Sequence, residues 1–309
     1  MLKKVIIAMF LSLLFVQVNW EELKGEKFVD KENTRRVMNI DAEYEFSSIL
    51  DGISNEQLWN VGFMYLIYNK DIDIDLVYKN ISFFCIFIFV LFILVEGHYL
   101  LLIFLINPLI VDFCFSQYRS ALALSLLYLA YMLRKRRLYL PILIMLPAVF
   151  IHTSVLLILL IYFLIFIILN KFRSQKKKLI FFSCLIALAI CLILGPLREV
   201  ILTYFNDRRG GVGYSHSSGL LFSLFWIILT VFFLIQRKVF YNNELVLIGI
   251  VLILIYLINT LVLNIYGSRF LSLGFVLFLV AISKFKRAHL PIIILLFLFN
   301  NLMQWVLWL

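Results

Sequence analysis

The sequence is short of charged residues and of cysteine. Charged side chains make up 15% of its 309 residues and hydrophobic ones 64%. This balance excludes a soluble globular domain, because no fold of that size hides so much apolar surface from water. The few cysteines lie inside apolar runs without metal-ligand spacing, which argues against a disulfide framework and against a cysteine-bound metal. They are Cys85, Cys114, Cys184 and Cys191.

The apolar runs also lack the polar alternation of membrane β-strands. All but one of them extend over 17 residues or more, so helices are the expected way to satisfy the backbone in a bilayer. We expect an all-α, polytopic integral membrane protein with about eleven helical spans. The expected spans lie near residues 2–18, 77–95, 99–115, 117–133, 138–151, 153–169, 179–197, 219–236, 244–263, 267–283 and 290–308.

Acidic residues are scarce after residue 75. Of the 18 aspartates and glutamates, 13 lie between Trp20 and Asp75, against six basic residues. That is the reverse of a cytoplasmic loop, so this segment is expected outside, with an interfacial helix over 56–69. Residues 2–18 lack a small-residue cleavage pattern and are expected to be an uncleaved anchor. We therefore expect an anchor plus acidic extracytoplasmic segment (1–76) and a polytopic membrane domain (77–309).

The lysines and arginines fall into clusters between the apolar runs. Five clusters hold 16 of the 28 basic residues, and the positive-inside rule predicts that all five are cytoplasmic. The net charge of +10 is then a feature of topology, and no nucleic-acid partner is predicted. The clusters are Lys3 and Lys4; Arg134 to Arg137; Lys171, Arg173 and Lys176 to Lys178; Arg237 and Lys238; and Lys284, Lys286 and Arg287.

The region between residues 138 and 170 is basic at both ends and must cross the membrane an even number of times. Its length suits two short helices of roughly 22 Å each, at about 1.5 Å per residue. The bend between them is predicted near His152, on the outer side.

Three ionisable residues are predicted to lie at one depth beneath the outer surface. Arg119 and Arg269 precede a basic cluster by 15 residues, and His152 follows one by 15, which is roughly 22 Å along a helix. Ionisable groups at such depth usually face a water-accessible cavity, which makes a shared outer cavity the prediction. Snorkelling arginines and a histidine that caps the bend are the alternatives.

The predicted outer loop from residue 198 to 218 carries Arg208 and Arg209 beside three glycines. Guanidinium groups match phosphate oxygens in bidentate geometry, and glycines let backbone amides approach an anion. The loop therefore favours a phosphate or pyrophosphate site that also includes Tyr214 and His216. An ordinary solvated loop tip is the alternative.

The stretch Tyr118, Arg119, Ala121, Leu122 and Ala123, followed by the basic turn and by Phe150, His152, Ser154 and Val155, resembles the EpsG-like, Wzy-type bacterial polysaccharide polymerases. That family has an arginine at the start of one helix and a phenylalanine, histidine and small residue about 30 residues later. Asp41, Tyr44 and Arg269 also fit its layout. Ser120 departs from it, since glutamine often follows the arginine there.

The resemblance implies a glycosyltransferase of the bacterial cytoplasmic membrane that joins polyprenyl-pyrophosphate-linked oligosaccharide repeats on the outer face, in O-antigen, capsule or exopolysaccharide synthesis. It implies a repeat-unit flippase and a chain-length regulator as partners. No cofactor is expected, and no aspartate pair suits magnesium, so metal independence is predicted. A transporter or flippase, and another lipid-donor transferase such as an O-antigen ligase, are the alternatives. The expected catalytic residues are His152, Arg119 and Arg269 with Asp41 or Glu56, and the expected substrate-binding residues are Arg208, Arg209, Tyr118, Tyr214, His216 and Tyr44.

Overall fold

A computed structural model of the chain is predominantly helical in the part that it describes, which comprises residues 1–29, 31–32, 53, 59, 62, 73–134, 139–200, 220–263 and 267–308. Within these residues there is no strand. Five of the described helices are long and apolar enough to cross a membrane, and four shorter described helices are also apolar. The protein is therefore a helical membrane protein, and the predicted all-α class is confirmed for the described residues.

The described helices follow the predicted apolar runs closely. The five long ones are Ile74–Glu96, Ser154–Phe172, Lys176–Leu194, Glu244–Leu261 and Leu290–Trp308. In chain order the elements are α1 Leu2–Gln17, α2 Trp20–Lys24, α3 Ile74–Glu96, a 3-10 helix Tyr99–Leu105, α4 Pro108–Phe115, α5 Tyr118–Leu133, α6 Tyr139–Ile151, α7 Ser154–Phe172, α8 Lys176–Leu194, α9 Leu220–Leu234, a second 3-10 helix Lys238–Asn242, α10 Glu244–Leu261, α11 Ser268–Ile282 and α12 Leu290–Trp308.

The expected single helix over residues 99–115 is wrong. The chain forms a 3-10 helix that ends at Leu105 and a separate eight-residue helix α4. Pro108 causes the break, because it has no N–H to donate and disfavours helical geometry at the residue before it. Asn107 then caps α4, its side-chain oxygen accepting the N–H of Leu109 at 2.8 Å. At about 12 Å, α4 is too short to cross a bilayer alone.

The polar groups at this break are paired with the end of α12. Asn107 is fully buried and donates its amide N–H to Asn301 Oδ1 at 2.7 Å. The carbonyl of Ile106 accepts from Asn301 Nδ2 at 2.8 Å and from Trp305 Nε1 at 3.2 Å. Irregular backbone in a membrane protein is tolerated where such partners replace water, and α12 supplies them here.

The described contacts divide the chain into two compact units. Unit 1 comprises residues 1–158 and 301–309, and unit 2 comprises residues 159–300. The region boundary expected at residue 76 stays a prediction, because most of residues 33–72 lie outside the described residues.

Two predicted cytoplasmic clusters share one end of unit 1. Lys4 on α1 donates its ammonium N–H to the carbonyl of Leu94, close to the end of α3. The guanidinium of Arg134 lies 3.3 Å from the ring centroid of Tyr131, and Tyr131 in turn packs on Phe92 of α3 with ring centroids 5.8 Å apart. We call this the Arg134 end of unit 1.

Three further basic clusters meet at one end of unit 2, around the buried Gln236. Lys176 donates to the carbonyls of Leu234 and Gln236 at 2.9 and 2.7 Å. The Gln236 side chain accepts the backbone N–H of Lys286 at 3.2 Å and donates to His289 Nδ1, 3.0 Å away. We call this the Gln236 end, and Arg237 and Lys238 follow it directly in the chain.

The core of unit 2 is the pair α10 and α11. α10 is largely buried, and α11 is buried continuously from Leu271 to Ile282. Close approach depends on glycine: a Cβ added to Gly267 would lie 2.6 Å from Thr260 Oγ1 and 3.1 Å from the carbonyl oxygen of Tyr256. The first turn of α11, which carries Arg269, is thereby held against the end of α10.

Candidate functional site

His152 lies in the bend between α6 and α7, at the end of unit 1 opposite Arg134. The bend falls where the sequence predicts it, since α6 ends at Ile151 and α7 begins at Ser154. The imidazole Nε2 lies 3.0 Å from Ser120 Oγ in the first turn of α5. This contact places the start of α5 level with the end of α6, as their equal distance from the basic turn predicts. We call this the His152 end of unit 1.

The proton on the His152 ring can be assigned from its neighbours. Nδ1 accepts the backbone N–H of Ser154 at 3.0 Å and lies 2.7 Å from Ser154 Oγ. A backbone N–H can only donate, so Nδ1 carries no proton. The neutral ring is then protonated on Nε2 and donates to Ser120 Oγ. His152 thus caps the first turn of α7 with one nitrogen and contacts α5 with the other.

A tight turn between α4 and α5 fixes the position of Arg119. The Gln117 side chain donates to Asp112 Oδ2 at 2.8 Å and leaves the first amides of α5 without a side-chain cap. The positive end of the helix dipole and the half-buried Arg119 therefore lie at the His152 end. Such a helix end favours an anion, and a guanidinium fork adds bidentate donors for phosphate oxygens.

Tyr118 is buried rather than displayed at the surface. It is 5% exposed and stacks on Tyr78 of α3, with ring centroids 4.2 Å apart and planes 16° from parallel. This stack anchors the residue before Arg119 to α3. A contact of Tyr118 with substrate stays a prediction.

An ion network on the same unit ties α2 to the start of α3. Lys31 lies 3.0 Å from Glu21 Oε2 and 3.4 Å from Asp75 Oδ1, and Glu21 also accepts the backbone N–H of Phe28 at 3.2 Å. The lysine is mostly buried, with 13% of its side chain exposed. These two carboxylates therefore already have a cationic neighbour at this end of α3.

The other predicted site residues are only partly described. Arg269 is exposed in the first turn of α11, in unit 2. The structure thus brings Arg119 and His152 to one end of unit 1, while a cavity shared with Arg269 stays a prediction. The remaining predicted site residues lie outside the described residues: Asp41, Tyr44, Glu56, Arg208, Arg209, Tyr214 and His216.

Ser120 is the site residue that the sequence did not reveal as such. It stood out only as a departure from the glutamine expected after the arginine. The equal spacing of residues 119 and 152 from the basic turn is the signal that could have found it, because it places neighbouring side chains at one level. Which of these side chains faces His152 depends on the rotation of α5 about its axis, and the spacing in the sequence does not contain this rotation.

No group of three histidine, cysteine, aspartate or glutamate side chains in the described residues is placed to hold a metal ion; metal independence stays a prediction. No protein-family model, curated protein or solved structure matches the chain. The resemblance carried by the residues around Arg119 and His152 therefore remains an expectation.

Proposed function

We propose that this protein is a membrane glycosyltransferase that polymerises polyprenyl-pyrophosphate-linked oligosaccharide repeats on the outer face of the bacterial cytoplasmic membrane. The observation that carries the proposal is the contact between Ser120 and His152. It assembles a guanidinium, a hydroxyl and an imidazole at the end of unit 1 that lies opposite the Arg134 cluster.

The proposed orientation has the basic ends of both units in the cytoplasm. The Lys4 and Arg134 clusters share one end of unit 1, and three clusters share the Gln236 end of unit 2. This grouping supports the alternation of eleven proposed spans, with residues 99–115 crossing as a discontinuous segment. The positive-inside rule then places the His152 end outside.

An external site limits the choice of sugar donor. Nucleotide sugars are cytoplasmic, so a donor outside must arrive on a lipid, and a polyprenyl pyrophosphate carries an anionic leaving group. Arg119 beside the start of α5 fits that charge. The same role for Arg208, Arg209 and Arg269 stays a prediction from the sequence.

The proposed reaction is a displacement at the anomeric carbon of the growing chain. A hydroxyl at the non-reducing end of one lipid-linked repeat attacks that carbon, and a new glycosidic C–O bond forms as the bond to the pyrophosphate oxygen breaks. The electron pair leaves with polyprenyl pyrophosphate as an anion. The acceptor proton passes to a general base, for which His152, Asp41 and Glu56 are the candidates.

One observation favours a transporter as the second candidate. Transporter sites are often built from discontinuous helices, and the chain has such a break at Ile106 and Asn107. However, the Ile106 carbonyl accepts two hydrogen bonds from α12, and the Asn107 amide is engaged by Asn301. Because these groups are used inside unit 1, the break serves packing there, and we rank transport second.

The test uses the purified full chain in liposomes with a synthetic polyprenyl-pyrophosphate-linked repeat, read as a polymer ladder on a gel. We expect a ladder from the native protein and roughly a hundredfold less polymer from Arg119→Ala. Arg173→Ala, in an exposed basic cluster, is the matched control and should polymerise normally. Transfer of preformed polymer to another acceptor without a ladder would indicate a ligase. Movement of the lipid-linked repeat across the bilayer without a ladder would indicate a flippase.

A further inference from the structure

The unprotonated ring nitrogen of His152 is engaged by Ser154, the first residue of α7. Nδ1 faces the backbone N–H and the hydroxyl of Ser154, while Nε2 holds the proton that points to Ser120 Oγ, 3.0 Å away. Taking up a second proton at Nδ1 would set two N–H donors against each other. The geometry therefore favours a neutral imidazole that acts as a hydrogen-bond donor, and disfavours the same ring as a base.

This tautomer fixes the direction of the hydrogen bond between His152 and Ser120: the serine hydroxyl is the acceptor. A serine hydroxyl has one proton and two lone pairs, and one lone pair takes the Nε2–H of His152. Hydrogen bonds in a chain polarise one another, so the serine becomes a better donor through its own O–H. The group that receives this O–H must be a hydrogen-bond acceptor.

We propose that His152 is a positioning residue that acts through Ser120, whose hydroxyl donates a hydrogen bond to a pyrophosphate oxygen of the lipid-linked donor. This inference rests on the proposed function and assigns the pair to the leaving-group side of the reaction. Ser120 and Arg119 both lie in the first turn of α5, so both donors belong to the same end of that helix, and the proposal assigns both to one anion.

An anionic oxygen fits this site better than the attacking sugar hydroxyl does. The acceptor hydroxyl must give up a proton, which requires a free lone pair, and neither Nδ1 nor the protonated Nε2 of His152 offers one. A phosphate oxygen only needs donors, which Ser120, Arg119 and the start of α5 supply. In the step given above, the acceptor proton then goes to a carboxylate, Asp41 or Glu56, and the pyrophosphate leaves as its anion.

The experiment compares Ser120→Ala, Ser120→Thr and His152→Asn in the liposome polymerisation assay. Asparagine can still accept the Ser154 N–H but is too short to reach Ser120. We expect a tenfold to hundredfold lower kcat for Ser120→Ala and for His152→Asn, about the effect of one hydrogen bond to a charged group. The double variant should be no worse than either single one, because both remove the same chain of donors. Threonine should restore activity.

The pH profile of kcat separates this role from that of a base. With the base elsewhere, the acidic limb of the profile keeps its position in His152→Asn. The inference would be overturned if His152→Asn had a flattened acidic limb and lost far more kcat than Ser120→Ala. Native activity of Ser120→Ala would also overturn it. Equal amounts of each variant in the membrane and an unchanged melting temperature exclude misfolding as the cause of a loss.

A second readout does not depend on activity. In protein labelled with 15N-histidine, the signal that disappears in His152→Asn should show the neutral Nε2–H tautomer at neutral pH. An Nδ1–H tautomer or an imidazolium would overturn the inference. Absence of any polymer from the native protein would instead count against the proposed function, and the tautomer would still be measured.

Discussion

Replacing Gly267 with alanine should destabilise unit 2 and move the start of α11. An added Cβ would lie 2.6 Å from Thr260 Oγ1 and 3.1 Å from both the Tyr256 ring and the Tyr256 carbonyl oxygen. The hydroxyl can rotate away, but the backbone carbonyl belongs to α10 and cannot. The φ of Gly267 is −97°, which alanine adopts readily, so the cost is steric rather than conformational.

The magnitude follows from two opposing effects. Overpacking a tight interface costs about 1–3 kcal/mol, and alanine recovers about 0.4–1 kcal/mol by restricting the unfolded chain. A net loss of about 1–2 kcal/mol is expected. Gly249, in the middle of α10, is the matched control, because its added Cβ would meet Phe278 at an ordinary 3.5 Å. Alanine is favoured over glycine inside a helix by about 1 kcal/mol, so Gly249→Ala should be neutral or stabilising.

The assay is thermal unfolding of the full chain in one detergent, followed by intrinsic fluorescence. A difference of about 2–3 kcal/mol between the two variants corresponds to melting temperatures on the order of 5–10 °C apart, Gly267→Ala being the lower. Equal melting temperatures, or a more stable Gly267→Ala, would refute the claim that this glycine sets the spacing of α10 and α11.

Three further predictions concern single residues. Arg119→Lys should lower polymerisation about a hundredfold, because a point charge cannot replace a bidentate fork; native polymer from this variant would refute the role. A cysteine at Ser217 should react with a membrane-impermeant thiol reagent in intact cells while one at Gln175 should not, and labelling at 175 would refute the proposed orientation. Asn301→Ala should lower the melting temperature, because it leaves the buried amide of Asn107 without its partner, at a cost of about 1–3 kcal/mol. Leu302→Ala, at an exposed position of the same helix, should leave the melting temperature unchanged; equal values for the two variants would show that the break needs no such pairing.

Sequence periodicity and charge were enough to predict most helices, because a bilayer imposes two simple rules. A span must be apolar for a minimum length, and basic loops collect on one side. The bend at His152 follows from both rules together, since the segment 138–170 between two basic turns can only go out and return. The described bend, from Ile151 to Ser154, lies where that reasoning puts it.

The break at Asn107 could not be derived in this way. By hydropathy, residues 99–115 form one apolar run. Asn107 is nevertheless a favoured N-cap residue and Pro108 a favoured first residue of a helix. The chain can end one helix and begin another there because Asn301 and Trp305 on α12, about 195 residues away, donate hydrogen bonds to the exposed backbone carbonyl of Ile106. Long-range pairing of this kind leaves no mark in the local pattern.

At the His152 end, the sequence predicts the depth of the residues but not the direction in which their side chains point. The spacing of residues 119 and 152 from the basic turn sets their depth, and the sequence contains that information. The rotation of α5 decides that Ser120 faces the imidazole, and the first turn of α7 decides which nitrogen keeps the proton. Because Ser154 contributes a backbone N–H, this assignment holds whichever way its hydroxyl points. A histidine that looks like a general base by its type and depth is thereby a hydrogen-bond donor, because Ser154 at the start of α7 uses its unprotonated nitrogen. In the proposed reaction, the acceptor proton therefore goes to a carboxylate.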